Sequence, residues 1–148
     1  MVNFIYHSYL CAYMQKVVGC FIENDGKFII LHRIPGDMQG DKWGLPAGGV
    51  KEDETEETAM IREIKEETGL NVDKEDLEFL GKWEWIFPII EVEFFAFKLK
   101  LDNKVDVKLR PEEHIEYKWV SPRGCYSRKD LVHGFHELLE LTKYVLLK

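Results

Sequence analysis

Long hydrophobic runs are missing from this chain, and no stretch approaches the ~20 apolar residues that a membrane-spanning helix requires. The apolar opening MVNFIYHSYLCAYM is interrupted by Asn3, His7 and Ser8 and has no basic leader, so it does not read as a signal peptide. Cysteine is scarce. Cys11, Cys20 and Cys125 are odd in number and form no CxxC pair, which argues against a disulfide framework or a zinc ribbon and for thiols kept reduced. Positive charge is the minority sign: 20 Lys and Arg against 27 Asp and Glu leave a net charge of −7. A basic surface for a nucleic-acid polymer is therefore not expected. Proline is sparse at five residues, and there is no repeat, linker or low-complexity tract. The expectations are a cytoplasmic protein with neither membrane nor nucleic-acid polymer as partner, and with a homodimer left open.

What is present is the material of one globular domain: 148 residues, 45% hydrophobic and 13% aromatic, enough to enclose a real core. Residues 1–15 read as an N-terminal arm and 16–148 as the domain. Residues 16–33 are two β-rich runs around Asn24, Asp25 and Gly26, the pattern of a hairpin. Residues 34–50 hold five glycines and two prolines, so they read as loop, with a short strand at 43–45. Residues 55–68 have helical periodicity, with Thr55 as N-cap, Glu56 and Glu57 at the positive end of the dipole, and Gly69 then Leu70 as the stop. Runs at 77–87, 89–101 and 116–120 read as strands, and 133–147 as a C-terminal helix. This order predicts an α/β fold, an α/β/α sandwich whose mixed sheet lies between the helix at 55–68 and the last helix.

The helix at 55–68 poses a problem of charge. At about 100° per residue, Glu63, Glu66 and Glu67 share a narrow arc, away from the apolar stripe of Met60, Ile61 and Ile64. Like charges so spaced repel by roughly 0.2–0.5 kcal/mol per pair on an isolated helix. The arc therefore needs solvent or a cation. Hard divalent ions such as Mg²⁺ take oxygen ligands, keep several waters and share themselves between carboxylates and phosphates. The preceding loop, Pro46-Ala47-Gly48-Gly49, can bring a backbone carbonyl to the same ion, because glycine allows close approach.

From Gly48 the chain runs five residues to Glu54, seven more to Arg62-Glu63-Ile64, then one to Glu66-Glu67 and one to Gly69-Leu70. This spacing resembles the Nudix box at every defining position, and the chain is similar to the Nudix hydrolases, closest to their MutT-like members. The resemblance implies a Nudix-type sandwich and metal-dependent hydrolysis of a phosphoanhydride in a nucleoside diphosphate linked to another group. It implies Mg²⁺, with Mn²⁺ as substitute, held by Glu63, Glu66, Glu67 and the carbonyl of Ala47. Glu54 and Arg62 match the family's supporting pair, in which the arginine orients the catalytic carboxylates; Gly48 and Gly69 match its glycines. Glu113, six residues before Trp119, matches a glutamate that adds a metal contact or a base, with Glu112 and Glu116 as rivals. The general base is Glu63 or Glu113. Arg33 resembles a family arginine that touches substrate phosphate.

Trp43 and the Phe87-Pro88 step are candidates for a base pocket, since aromatic faces stack on nucleobases. His133 and His136 read as packing or surface residues. The MutT-like length points to a nucleoside or deoxynucleoside triphosphate cleaved to a monophosphate and pyrophosphate. ADP-ribose or a nucleotide sugar is the alternative substrate. A Nudix-fold binding domain without catalysis is a rival from another class, disfavoured by the intact acidic positions. An isoprenoid diphosphate isomerase is another, disfavoured because all three cysteines lie outside the box.

Overall fold

A computed structural model describes residues 14–36, 39–86 and 91–146. Strand β1 (Gln15–Asn24) turns through Asp25 and Gly26 into β2 (Lys27–Arg33). Both turn residues have positive φ, 51° and 73°, the geometry that lets a two-residue loop follow the right-handed twist of its strands. Strands β3 (Trp43–Gly44), β4 (Ala47–Gly49), β5 (Leu77–Ile86), β6 (Glu91–Lys100) and β7 (His114–Val120) complete one sheet. Its order is β3-β2-β1-β6-β5, with β4 beside β1 and β7 beside β2. β1 and β6 run parallel, and the other pairings are antiparallel, so the sheet is mixed.

β1 is shared along its length. Its end pairs with β2 (Glu23↔Phe28) and its beginning with β4 (Val17↔Gly49, Gly19↔Ala47). The segment 46–50 is clamped there by Cys20 N–H to the Pro46 carbonyl and Val50 N–H to the Lys16 carbonyl, at 3.0 and 2.9 Å. Residues 47–49 were expected to be loop. They form a strand because the exposed edge of β1 offers hydrogen-bonding groups that must be satisfied.

Side-chain alternation divides the core in two. Val18, Cys20, Ile22, Ile29, Leu31, Phe95, Phe97 and Leu99 meet Ala59, Met60 and Ile64 of helix α1 (Glu56–Thr68). Phe21, Phe28, Ile30 and Ala96 face the other way, against Cys125 of α2 (Pro122–Tyr126), Leu131, and Phe135, Leu138 and Leu139 of α3 (Phe135–Leu141). The α/β/α arrangement is as expected.

The last helix is shorter than the 133–147 read from the sequence. Gly134 at φ 85° precedes it, and Lys143 at φ 63° turns the chain soon after its end. Tyr144 then stacks on Phe21 with ring centroids 4.1 Å apart, and its hydroxyl donates to Glu23. This tertiary contact overrides the local helical pattern. α2, not foreseen, has its own start signal: the Ser121 hydroxyl accepts from Gly124 N–H and Pro122 follows at the first position. The Phe87-Pro88 step, Cys11 and most of the N-terminal arm lie outside the described residues.

Candidate active site

Helix α1 is held at both ends. The Thr55 hydroxyl accepts from Thr58 N–H at 3.1 Å, and Gly69, at φ 80°, donates its N–H to the Lys65 carbonyl. Between the caps, Glu63 and Glu67 lie one turn apart and face β4. They are buried, at 8% and 2% exposure, so the acidic arc does not simply face solvent. Ala47 N–H donates to Glu67 Oε2 at 3.2 Å. At Gly48 a Cβ would stand 2.2 Å from the Glu63 carboxyl carbon, well inside contact distance. Glycine at 48 is thus a requirement of the close approach between β4 and Glu63, not of backbone dihedrals.

Arg62 organises the carboxylates. Its Nε and Nη2 donate to the two oxygens of Glu54 at 2.7 and 2.9 Å, and Nη2 also reaches the Gly49 carbonyl at 3.0 Å. Nη1 donates to Glu63 Oε1 at 2.7 Å and to Glu66 Oε2 at 3.3 Å. One guanidinium therefore ties the loop before α1 to β4 and to two box glutamates, using the planar fork that suits such work. The Arg62 hydrogen bonds, helped by Lys51 N–H, lower the pKa of Glu54 to about 2. Burial raises the pKa of Glu67 well above its ordinary value, and the neighbouring Glu63 pushes the same way; Ala47 N–H opposes them in part.

The charge of Glu113 adds to that upward push on Glu67, so the turn just ahead of β7 brings this glutamate to the same cluster. Its backbone carbonyl accepts from Ile34 N–H at 3.0 Å, fixing the start of β7 against the end of β2. Its rivals lie elsewhere. Glu116 faces His32, at 3.2 Å from Nδ1, and Glu112 is largely exposed.

A cavity of about 780 Å³ opens beside β4, with Ala47, Gly48 and Gly49 in its wall. Arg33 and Lys42 line it, as do Trp85, Phe94, Phe135 and Leu138. Arg33 and the buried His114 arrive as a register pair at an irregularity of the β2–β7 ladder. Trp43, expected in a base pocket, is not among the lining residues. It is 3% exposed, stacked on His32 at 4.7 Å, with Lys118 and Arg128 over its ring at 4.9 and 5.0 Å. It belongs to the core cluster that packs against α2 and α3. Phe87 lies outside the described residues. Trp85, Phe94 and His114 were missed from sequence, because no local signal tells which aromatic or histidine faces a cavity.

A family model described as the NUDIX domain matches residues 14–141. The chain belongs to the Nudix family. It is 34% identical over 153 residues to an RNA pyrophosphohydrolase of Pelagibacter ubique, covering 90% of this chain and 94% of that protein. A CTP pyrophosphohydrolase of Escherichia coli is 37% identical over 57 residues, 38% of this chain and 42% of its own. Among solved structures, a MutT protein from Methanosarcina mazei Go1 superposes with a TM-score of 0.75 at 30% identity, over 88% of this chain and 93% of that one. This Nudix protein is accordingly a hydrolase acting on pyrophosphate bonds.

Nudix hydrolases generally use divalent metals. Among the described residues, no three His, Cys, Asp or Glu side chains converge as a ready-made cage. The donor set nonetheless fits a hard cation. Glu63 and Glu67 are buried acidic side chains, Glu63 against Gly48 and Glu67 bonded to Ala47 N–H, and hard cations complete their shells with water and phosphate.

Proposed function

We propose that this Nudix hydrolase cleaves a nucleoside or deoxynucleoside 5′-triphosphate to the monophosphate and pyrophosphate, with Mg²⁺ or, in its place, Mn²⁺. The observation that carries the reading is the buried Glu63–Glu67 pair set against Ala47–Gly49, the same backbone that walls the cavity. Glu63, Glu66, Glu67, Glu113 and the Ala47 carbonyl would hold the metal. The bound ion supplies neutralisation of phosphate charge and lowers the pKa of the attacking water. Arg62 orients Glu63 through the 2.7 Å hydrogen bond, and Glu63 or Glu113 accepts the proton from that water. Arg33 and Lys42 in the wall meet the phosphates. Trp85 and Phe94, with ring centroids 5.1 Å apart, offer apolar faces to a base. The cytoplasm suits the acidic chain and its free Cys20 and Cys125.

A second reading is the 5′-triphosphate end of RNA, favoured by the 34% identical RNA pyrophosphohydrolase. Both substrates present the same triphosphate to the same carboxylates. The test is one panel assayed with Mg²⁺: (d)NTPs, a 5′-triphosphorylated oligoribonucleotide, ADP-ribose and nucleotide sugars, with products separated by chromatography. The reading expects the highest kcat/KM for a free triphosphate. Tenfold preference for the oligonucleotide selects the second reading. The same preference for ADP-ribose or a sugar nucleotide overturns both and leaves the Nudix assignment in place.

A further inference from the structure

Two arginines, not one, stand among the carboxylates. Arg62 is committed, bonded to Glu54 through two nitrogens and to the Gly49 carbonyl. Arg110 is held differently. Its Nη1 donates to Glu66 Oε2 at 3.4 Å and lies 3.4 Å from Glu113 Oε1, while its Nε is 3.8 Å from Glu112. Among the described residues these three carboxylates are its side-chain partners, and the side chain is 44% exposed. The backbone beneath it is fixed. The Arg110 carbonyl accepts from both Glu113 and His114 N–H at 3.0 Å, and Lys108 N–H donates to the Thr68 carbonyl at the end of α1 at 2.9 Å. The backbone is thus hydrogen-bonded on both sides of Arg110, and the guanidinium is its half-exposed end.

We propose that Arg110 is an internal counter-cation that holds Glu66 and Glu113 together in the metal-free enzyme and competes with the metal for them. The inference rests on the metal-dependent reading above. One nitrogen placed between Glu66 and Glu113 neutralises the repulsion that brings a divalent ion to that rim. Arg62 and Arg110 both take Glu66 Oε2, at 3.3 and 3.4 Å. Arg110 is thus a positioning residue, which sets metal affinity without touching the reacting atoms. Its half-exposed pairs are the weak kind that a divalent ion displaces. Release leaves a cation standing beside the site on a fixed backbone.

The test is direct Mn²⁺ binding, by calorimetry and by the electron paramagnetic resonance of free Mn²⁺, with no substrate present. Arg110→Gln should lower the Mn²⁺ dissociation constant by about three- to tenfold, the scale of two weak exposed ion pairs. Arg110→Lys, which keeps the charge, should stay close to wild type. In the wild-type protein Mn²⁺ should also raise the reactivity of Arg110 toward phenylglyoxal, read by mass spectrometry of its peptide. An unchanged or weaker affinity in Arg110→Gln, or reactivity indifferent to Mn²⁺, overturns the role of Arg110 while leaving the metal site standing. Absence of Mn²⁺ binding in every protein overturns the metal reading, and this inference with it.

Discussion

Glu67 shows what the site demands of a single residue. Burial and the charge of Glu63 raise its pKa above the ordinary 4.5. A carboxyl raised in the folded state contributes stability that is fully present below that ordinary value and is lost as pH rises through the raised one. At neutral pH without metal Glu67 is therefore a burden on the fold. Glu67→Gln keeps an oxygen for Ala47 N–H and removes the titrating group. It should raise the metal-free Tm by about 2–4 °C, the response of a domain this size to ~1 kcal/mol. In thermal melts with chelator the gap should shrink toward acid pH, and turnover should fall by orders of magnitude; an unaltered Tm counts against the burden. Glu54 is the opposite case. Lowered to about 2 by Arg62, it contributes stability that is present above 4.5 and lost as pH falls toward 2. Glu54→Gln should leave the acid-unfolding midpoint at higher pH and reduce kcat more than KM, because Arg62 loses its anchor while the cavity is untouched.

At the scale of elements, α1 and β4 act as one unit. The N-cap bond from Thr58 N–H to the Thr55 hydroxyl predicts that Thr55→Ala costs about 1 kcal/mol in denaturant unfolding, with kcat/KM little changed. Gly48→Ala is a sharper test, since its Cβ would meet the Glu63 carboxyl at 2.2 Å. Displacement of Glu63 should cut kcat by about 10²-fold, in line with the cost of misplacing a catalytic group by ~1 Å, while circular dichroism stays native. Full activity in Gly48→Ala would remove the link between β4 and Glu63. The helix was legible because Thr55, the apolar stripe and Gly69 are local signals. β4 was not: Ala47, Gly48 and Gly49 have no strand propensity, and the partner that makes them a strand is some thirty residues away in β1.

At the scale of the whole molecule, metal and fold should be linked. A ligand that binds only the native state adds stability by mass action, about 2.7 kcal/mol at a concentration 100 times its dissociation constant. Mg²⁺ should raise Tm beyond what matched ionic strength does, and Glu63→Gln should diminish that gain; excess EDTA should abolish hydrolysis. Full activity in EDTA would sink the metal-dependent reading. The sequence by itself determined the α/β layering, through alternating strands and one amphipathic helix, and it determined the family, through the glycine, arginine and glutamate spacing of residues 48–70. Both are written in short-range periodicity. Only the tertiary structure decided that Glu63 and Glu67 are buried against β4 and that Trp43 is core. It alone brought Trp85, Phe94 and His114 into one cavity and set Arg110 between Glu66 and Glu113. Those facts depend on which strand edges meet and which face of each strand is covered, and these are settled by contacts between residues far apart in the chain.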